Sequence, residues 1–199
     1  MTLLAFMCLG VAVKGFSQYD ISKTTLKVDW QMNAPFSTDF ADKLSGWGMS
    51  YELGYQFTPR WEAGVFASFH TNHKYVGRQT LSLSPTESLT TDQQRSAFQV
   101  PFGVMGAYNL STNLCKPYIG VKAGAMFARN TTYFGSGGVY DKSWGFYRFS
   151  GNGLKIYPTG KKWGFHVAGY YSYATNKTQT LTCDIEGQNH AGFRLGVIF

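Results

Sequence analysis

Residues Trp47–Phe57 read WGMSYELGYQF. Trp47, Met49, Tyr51, Leu53, Tyr55 and Phe57 alternate with Gly48, Ser50, Glu52, Gly54 and Gln56. A period of two is the signature of a β-strand whose faces meet different surroundings. The apolar face carries only large side chains, whereas the other carries glycines, small polar groups and a carboxylate. The same alternation recurs on either side. Before it, Leu26, Val28, Trp30 and Met32 oppose Lys27, Asp29, Gln31 and Asn33; after Thr58–Pro59, Trp61, Ala63, Val65, Ala67 and Phe69 oppose Glu62, Gly64, Phe66, Ser68 and His70.

Four further segments follow the rule. Phe98, Val100, Phe102, Val104 and Tyr108 share one face, as do Ile119, Val121, Ala123, Ala125 and Phe127. Phe165, Val167, Tyr171 and Tyr173 form a third, and Phe193, Leu195, Val197 and Phe199 a fourth. The weakest segment is Trp144–Tyr157, where Arg148, Ser150 and Asn152 fall on the face that Trp144 and Phe146 point outward. Either a bulge resets its register or the strand starts late. The total is eight strands. Connections at Thr58–Pro59, Leu110–Cys115 and Pro158–Lys162 are short, and Ala34–Ser45, Asn72–Ser96, Arg129–Lys142 and Thr175–Gln188 read as long loops. Short turns at one end and long loops at the other, joining strands of about ten residues, predict an eight-stranded antiparallel up-and-down transmembrane β-barrel.

Composition supports the inside-out assignment. The 199 residues include 16 Phe, 13 Tyr, 5 Trp and 23 Gly, with only 15% charged residues, which excludes a disordered chain. No apolar run is long enough for a spanning helix. Eight strands enclose an interior that side chains nearly fill, so the bulky face belongs outside and the glycine-rich face inside. Lys27, Asp29, Glu52, Glu62, Lys122 and Arg194 then point into the lumen, with Arg60 and Lys155 near turns. Charges in so narrow a space must be paired. They form a salt-bridge plug, or alternatively a selectivity filter in a small pore. Trp30, Trp47, Tyr55, Trp61, Tyr108, Trp144 and Trp163 are expected to form the interfacial aromatic girdles.

Residues 1–17 carry a short apolar block, Met1–Val13, with Gly15 and Ser17 before a cleavage point at Gln18. This reads as a secretory signal, with residues 18–199 as a single barrel domain. No Lys or Arg precedes the block, as in a signal truncated at its start; the alternative is a buried N-terminal strand. Cys8 lies in the block without the small-residue run of a lipoprotein. Cys115 and Cys183 fall at opposite ends of the barrel, so no bond between them is expected.

Five segments carry a family resemblance: DWQMNAPFSTDF at 29–40, GWGMSYELGYQF at 46–57, VPFGVMGAYNL at 100–110, KPYIGVKAGAMF at 116–127 and the terminal GFRLGVIF at 192–199. They resemble the bacterial outer-membrane β-barrel domain family, the small porin-like, OmpX- and OmpW-like proteins of Gram-negative outer membranes. The resemblance implies an outer-membrane location, contact with outer-membrane lipids, and a C-terminal signal, Phe193, Leu195, Val197 and Phe199, read by the barrel-assembly machinery. A monomer is expected.

No phosphate loop, zinc motif or nucleophile elbow is present. His70 and His73 have no cysteine or carboxylate at ligand spacing, so no metal and no cofactor is expected. The net charge of +7 is scattered rather than striped, which argues against nucleic acid and for basic loops over anionic headgroups. Three function classes remain. The first is a non-enzymatic barrel with a structural or surface-interaction role through its external loops. The second is a narrow porin or conduit for small solutes or hydrophobic ligands. The third is a lipid-modifying enzyme using Ser68, His70 and Glu52.

Overall fold

The computed structural model describes residues 20–36, 39–84, 86–135, 137–158, 163–180 and 184–199. The signal segment at 1–17 and Cys183 lie outside the described residues; Cys115 is exposed, with a free thiol. Asp20 caps a single 3-10 turn, Ile21–Lys23, by accepting from the Ser22 amide. Ten strands follow among the described residues: β1 Thr24–Phe36, β2 Gly48–Gln56, β3 Trp61–Ser84, β4 Glu87–Asn109, β5 Cys115–Phe134, β6 Gly137–Ile156, β7 Gly164–Ala174, β8 Thr178–Gln179, β9 Asp184–Ile185 and β10 Gln188–Ile198. Eight of them close into a barrel in the order β1-β10-β7-β6-β5-β4-β3-β2, every pair antiparallel. The short β8 and β9 pair only with each other.

Closure leaves no edge among these eight strands, which is what a chain in hydrocarbon requires of its backbone polar groups. At the seam, Leu26 N–H donates to the Phe199 carbonyl at 3.0 Å and Phe199 N–H to the Leu26 carbonyl at 2.8 Å. The register carries a stagger. From Val28, one path runs through Tyr51, Ala67, Phe102 and Ala125 to Phe146; the other runs through Val197 and Phe165 to Ile156. The two arrivals lie ten residues apart on β6. Such a shear tilts eight strands by about 40°.

Curvature needs close backbone approach at two corners. A Cβ on Gly64 would lie 2.0 Å from the Leu53 carbonyl oxygen, and one on Gly124 would lie 2.0 Å from that of Phe102. Both face another glycine across the ladder, Gly54 and Gly103 respectively, so the sheet folds sharply where no side chain intervenes.

The faces fall as the alternation requires. Val65, Val104 and Val121 are 52%, 61% and 59% exposed on the outer wall, whereas Lys27, Asp29 and Glu52 inside are at most 3% exposed. Two expectations change. The stretches read as loops at Asn72–Ser96 and Arg129–Lys142 are mostly strand: β3 and β4 continue as a ribbon to Ser84 and Glu87, and β5 and β6 to Phe134 and Gly137. Thr, Ser and Gln occupy both faces there, and the inward positions nearest the barrel, such as Asn72, Gln93, Asn130 and Thr132, are buried but polar, so the apolar–polar alternation vanishes while the ladder persists. The second change concerns β6. It neither starts late nor bulges; it pairs without interruption with β5 from Gly137 to Ile156. Arg148, Ser150 and Asn152 therefore do point outward, all exposed.

Candidate functional site

The lumen is a charged plug held in aromatic rings. Glu52 on β2 is its hub: its carboxylate accepts from Lys27 Nζ at 3.2 Å, from Arg194 Nη1 at 3.0 Å and from Lys122 Nζ. Glu62 on β3 forms the second centre, with Lys27 at 2.8 Å and Lys155 at 2.5 Å. Lys27 joins the two. Asp29 Oδ1 lies 2.6 Å from His166 Nδ1, and His166 Nε2 lies 2.7 Å from the Tyr118 hydroxyl. Four cations from four strands thus meet two glutamates, with the aspartate engaged by the imidazole.

Aromatic faces complete the desolvated environment. Lys122 Nζ lies 4.4 Å from the Phe149 ring centre and 4.9 Å from that of Phe66; the Arg194 guanidinium lies 4.5 Å from Phe149 and 4.9 Å from Tyr170. A cation over a ring face gains electrostatically, and more so away from water. Phe66, Met105, Met126, Tyr147, Phe149 and Tyr170 pack as one cluster across the middle of the lumen. Bulky apolar groups therefore occur inside as well as outside, where they wedge between the charges.

A polar layer lies beyond this cluster, toward the ribbons. His70 Nε2 is 2.5 Å from Gln99 Oε1, His70 Nδ1 is 3.5 Å from Gln31 Nε2, and the His70 and His190 rings meet edge to face at 5.1 Å. The mouth is then covered. Phe40 and Ala41, 1% and 2% exposed, pack with Ala97 and Ile185, and the Arg95 guanidinium sits 5.7 Å over the Phe40 ring. The 39–45 segment is tied down by the mutual Asn33–Ser45 backbone bonds, by Asn72 Nδ2 donating to the Lys43 carbonyl, and by Lys74 donating to Asp42 at 2.6 Å. That bond holds the Asp42 carboxyl below the usual carboxylate range.

All six residues expected in the lumen lie there, and five of them share one ion-pair network. Lys155 joins them by alternation at the very end of β6. Of the partners that sequence reasoning left unassigned, Tyr118 and His166 were legible as inward positions of their strands; Phe149 was not, because the register of Trp144–Tyr157 stayed open. Arg60 does not reach the network; its guanidinium donates to the Tyr108 hydroxyl at 3.2 Å beside the turn. Ser68, His70 and Glu52 form no triad. Ser68 Oγ has no hydrogen-bond partner, His70 is engaged by glutamines, and Glu52 is engaged by three cations. No group of three or more His, Cys, Asp or Glu among the described residues is arranged to hold a metal.

The outer aromatic residues divide by height. Tyr55, Trp61, Tyr108 and Trp163 lie at the end with the short turns, Trp61 against Tyr108 at 4.9 Å. Trp47 and Trp144 lie toward the ribbons, Trp144 beside Phe127 at 5.1 Å. Trp30 is mid-strand on β1, where it donates its indole N–H to the Gly46 carbonyl at 2.7 Å and meets Phe193 edge to face. Phe193, Leu195 and Val197 point outward along β10, and Phe199 closes the seam.

The family model described as outer membrane protein beta-barrel domain matches residues 1–199. Among solved structures, Neisserial surface protein A is similar with TM-score 0.52 and 16% identity, covering 88% of this chain and 96% of that one. The attachment invasion locus protein Ail of Yersinia pestis follows with TM-score 0.45 and 14% identity, covering 88% and 96%. The N-terminal barrel of Pseudomonas aeruginosa OprF has TM-score 0.41 and 15% identity, covering 88% and 97%. No curated protein matches.

Proposed function

Because this chain belongs to the outer membrane protein β-barrel domain family and resides in the outer membrane, we propose that it is a non-enzymatic, closed barrel whose work is done outside. It is a rigid scaffold that holds two β-ribbons and the mouth segments above the bilayer for surface interaction. The observation that carries this reading is the contrast between its two halves. The lumen is packed with paired charges, aromatic rings and a seated Phe40, whereas the β3–β4 ribbon continues to Ser84 and Glu87 with side chains such as Tyr75 and Leu89 exposed. Functional groups of rigid scaffolds concentrate in such protrusions.

Lipid is the second partner. Arg129 and Lys142 oppose each other on the outer face of the β5–β6 ribbon, both over the Tyr140 ring at 4.9 and 5.6 Å, one register step beyond the Phe127–Trp144 pair. That height suits anionic headgroups, with the aromatic residues as girdles below. Phe193, Leu195, Val197 and Phe199 serve as the signal for the assembly machinery, and the barrel works as a monomer.

Planar-bilayer recording tests the closed-scaffold reading. Barrel shown to be folded by its heat-modifiable gel mobility gives no discrete conductance steps. Discrete steps would make the chain a narrow pore, with Lys122 and Arg194 as the charges to mutate first.

A further inference from the structure

Against Phe40 the lumen encloses a small cavity, with about 10 Å³ open to the centre of a water molecule. The apolar cluster around Phe40 makes one side of its lining. Gln99, Asn130, Gln188 and His190 make the other, each at most 2% exposed. Asn130 stands on β5, and Gln188 and His190 stand on β10, with β6 and β7 between them in the wall. The cavity therefore lies where two separate parts of the barrel face each other across the lumen.

Gln99 is engaged by His70. The other three side chains are not satisfied by the protein. Asn130 Oδ1 and Nδ2, Gln188 Oε1 and His190 Nε2 are buried with no hydrogen-bond partner among the described residues. Buried polar atoms are almost always paired, and an unpaired one is costly. Four of them, on three residues that line one cavity, call for a common partner.

Size and chemistry select that partner. The space is about the least that holds one water, and it excludes a larger molecule. Asn130 presents a donor and an acceptor whichever way its amide is turned. Gln188 adds an amide atom, and His190 adds a ring nitrogen that accepts or donates by tautomer. No charged side chain lines the cavity. A cation would meet the donor and an anion the acceptors, whereas water both donates and accepts.

We infer that this chamber binds a single long-lived water molecule, which bridges Asn130 on β5 to Gln188 and His190 on β10. The mouth is then closed in two layers, an apolar one at Phe40 and a water-bridged polar one beside it. The site is independent of what the ribbons bind.

The test is NMR of the refolded full-length barrel in detergent micelles, labelled with ¹³C at histidine. The chain has four histidines, so the ring signals are few. Carbon-bound ring protons do not exchange with solvent, so a cross-peak at the water frequency reports a nearby water directly. The His190 protons flanking Nε2 show such a cross-peak, with the NOESY sign of a water that tumbles with the protein. Exposed His73 shows only the weak signal of short-lived surface hydration. Asn130→Leu, which replaces the two unpaired amide atoms by an apolar group of similar size, loses the His190 cross-peak. Ser68→Ala, in the lumen outside the chamber, keeps it. The heat-modifiable band shows that each variant is folded, and the parent spectrum decides by itself if a variant loses that band. No water cross-peak at His190 in the parent would overturn the inference, because the side chains would then have turned to pair with one another. A His190 signal no longer-lived than that of His73, or one that survives in folded Asn130→Leu, would overturn it as well.

Discussion

Val65 and Glu52 lie on neighbouring strands and face opposite worlds. Val65 is half exposed on the outer wall beside Leu53 and Val104. Val65→Arg is expected to destabilise by about 2–4 kcal/mol in urea titrations of the lipid-embedded barrel, as for a charge near mid-membrane. Stability equal to the parent would exchange the two faces. Glu52 is the hub of the plug, so Glu52→Gln strands Lys27, Lys122 and Arg194 with too little negative charge. Removing one partner from a buried ion cluster costs about 3–5 kcal/mol, and the same titrations should show it. Both assignments were legible, because alternation alone sorts inward from outward. What alternation does not give is which inward charges meet: Glu52 and Arg194 are 142 positions apart, and their contact follows from the shear of the closed sheet. The reading of β6 failed for another reason. It assumed that every outward residue is apolar, and Arg148, Ser150 and Asn152 are outward and polar.

Between residues and barrel stand the mouth segment and the ribbons. The Asp42–Lys74 pair at the mouth is partly exposed, so its influence is local. Asp42 has its carboxyl pKa lowered by the Lys74 hydrogen bond. The pair's contribution is complete above the ordinary carboxylate range and is lost as pH falls through the lowered value. The protection factors of the Asn33 and Ser45 amides, which bond each other beneath this segment, should fall only in acid, and Asp42→Asn should lower them at neutral pH. Protection factors independent of pH would mean that Phe40 packing alone holds the mouth. The ribbons were invisible as strands, since their Thr-, Ser- and Gln-rich faces differ too little to alternate; only pairing reveals them. Replacing residues 77–92 by Asn-Gly, a turn that joins the paired Val76 and Gln93, should leave the gel-shifted barrel intact. Loss of the shift would assign the ribbon a part in folding.

At the scale of the whole molecule, eight strands, a stagger of ten residues and an interior of paired charges make up the barrel. Strand number and the alternation of short and long connections were readable from turn residues and period. The filling was readable only in part: alternation turns Phe66 inward, but that Phe149 and Tyr170 meet it from two other strands follows only from the closed sheet. Labelling of intact cells with a membrane-impermeant maleimide tests the central claim of outward ribbons on a closed barrel most directly. In a chain with Cys8 and Cys183 replaced by serine, a cysteine at Thr90 on the β4 ribbon is predicted to react at once. Cys115, at the turn end, is predicted to stay unlabelled until the outer membrane is permeabilised. Labelling of Cys115 in intact cells with Thr90→Cys protected would contradict the account, because it would put the ribbons inside and the turns out.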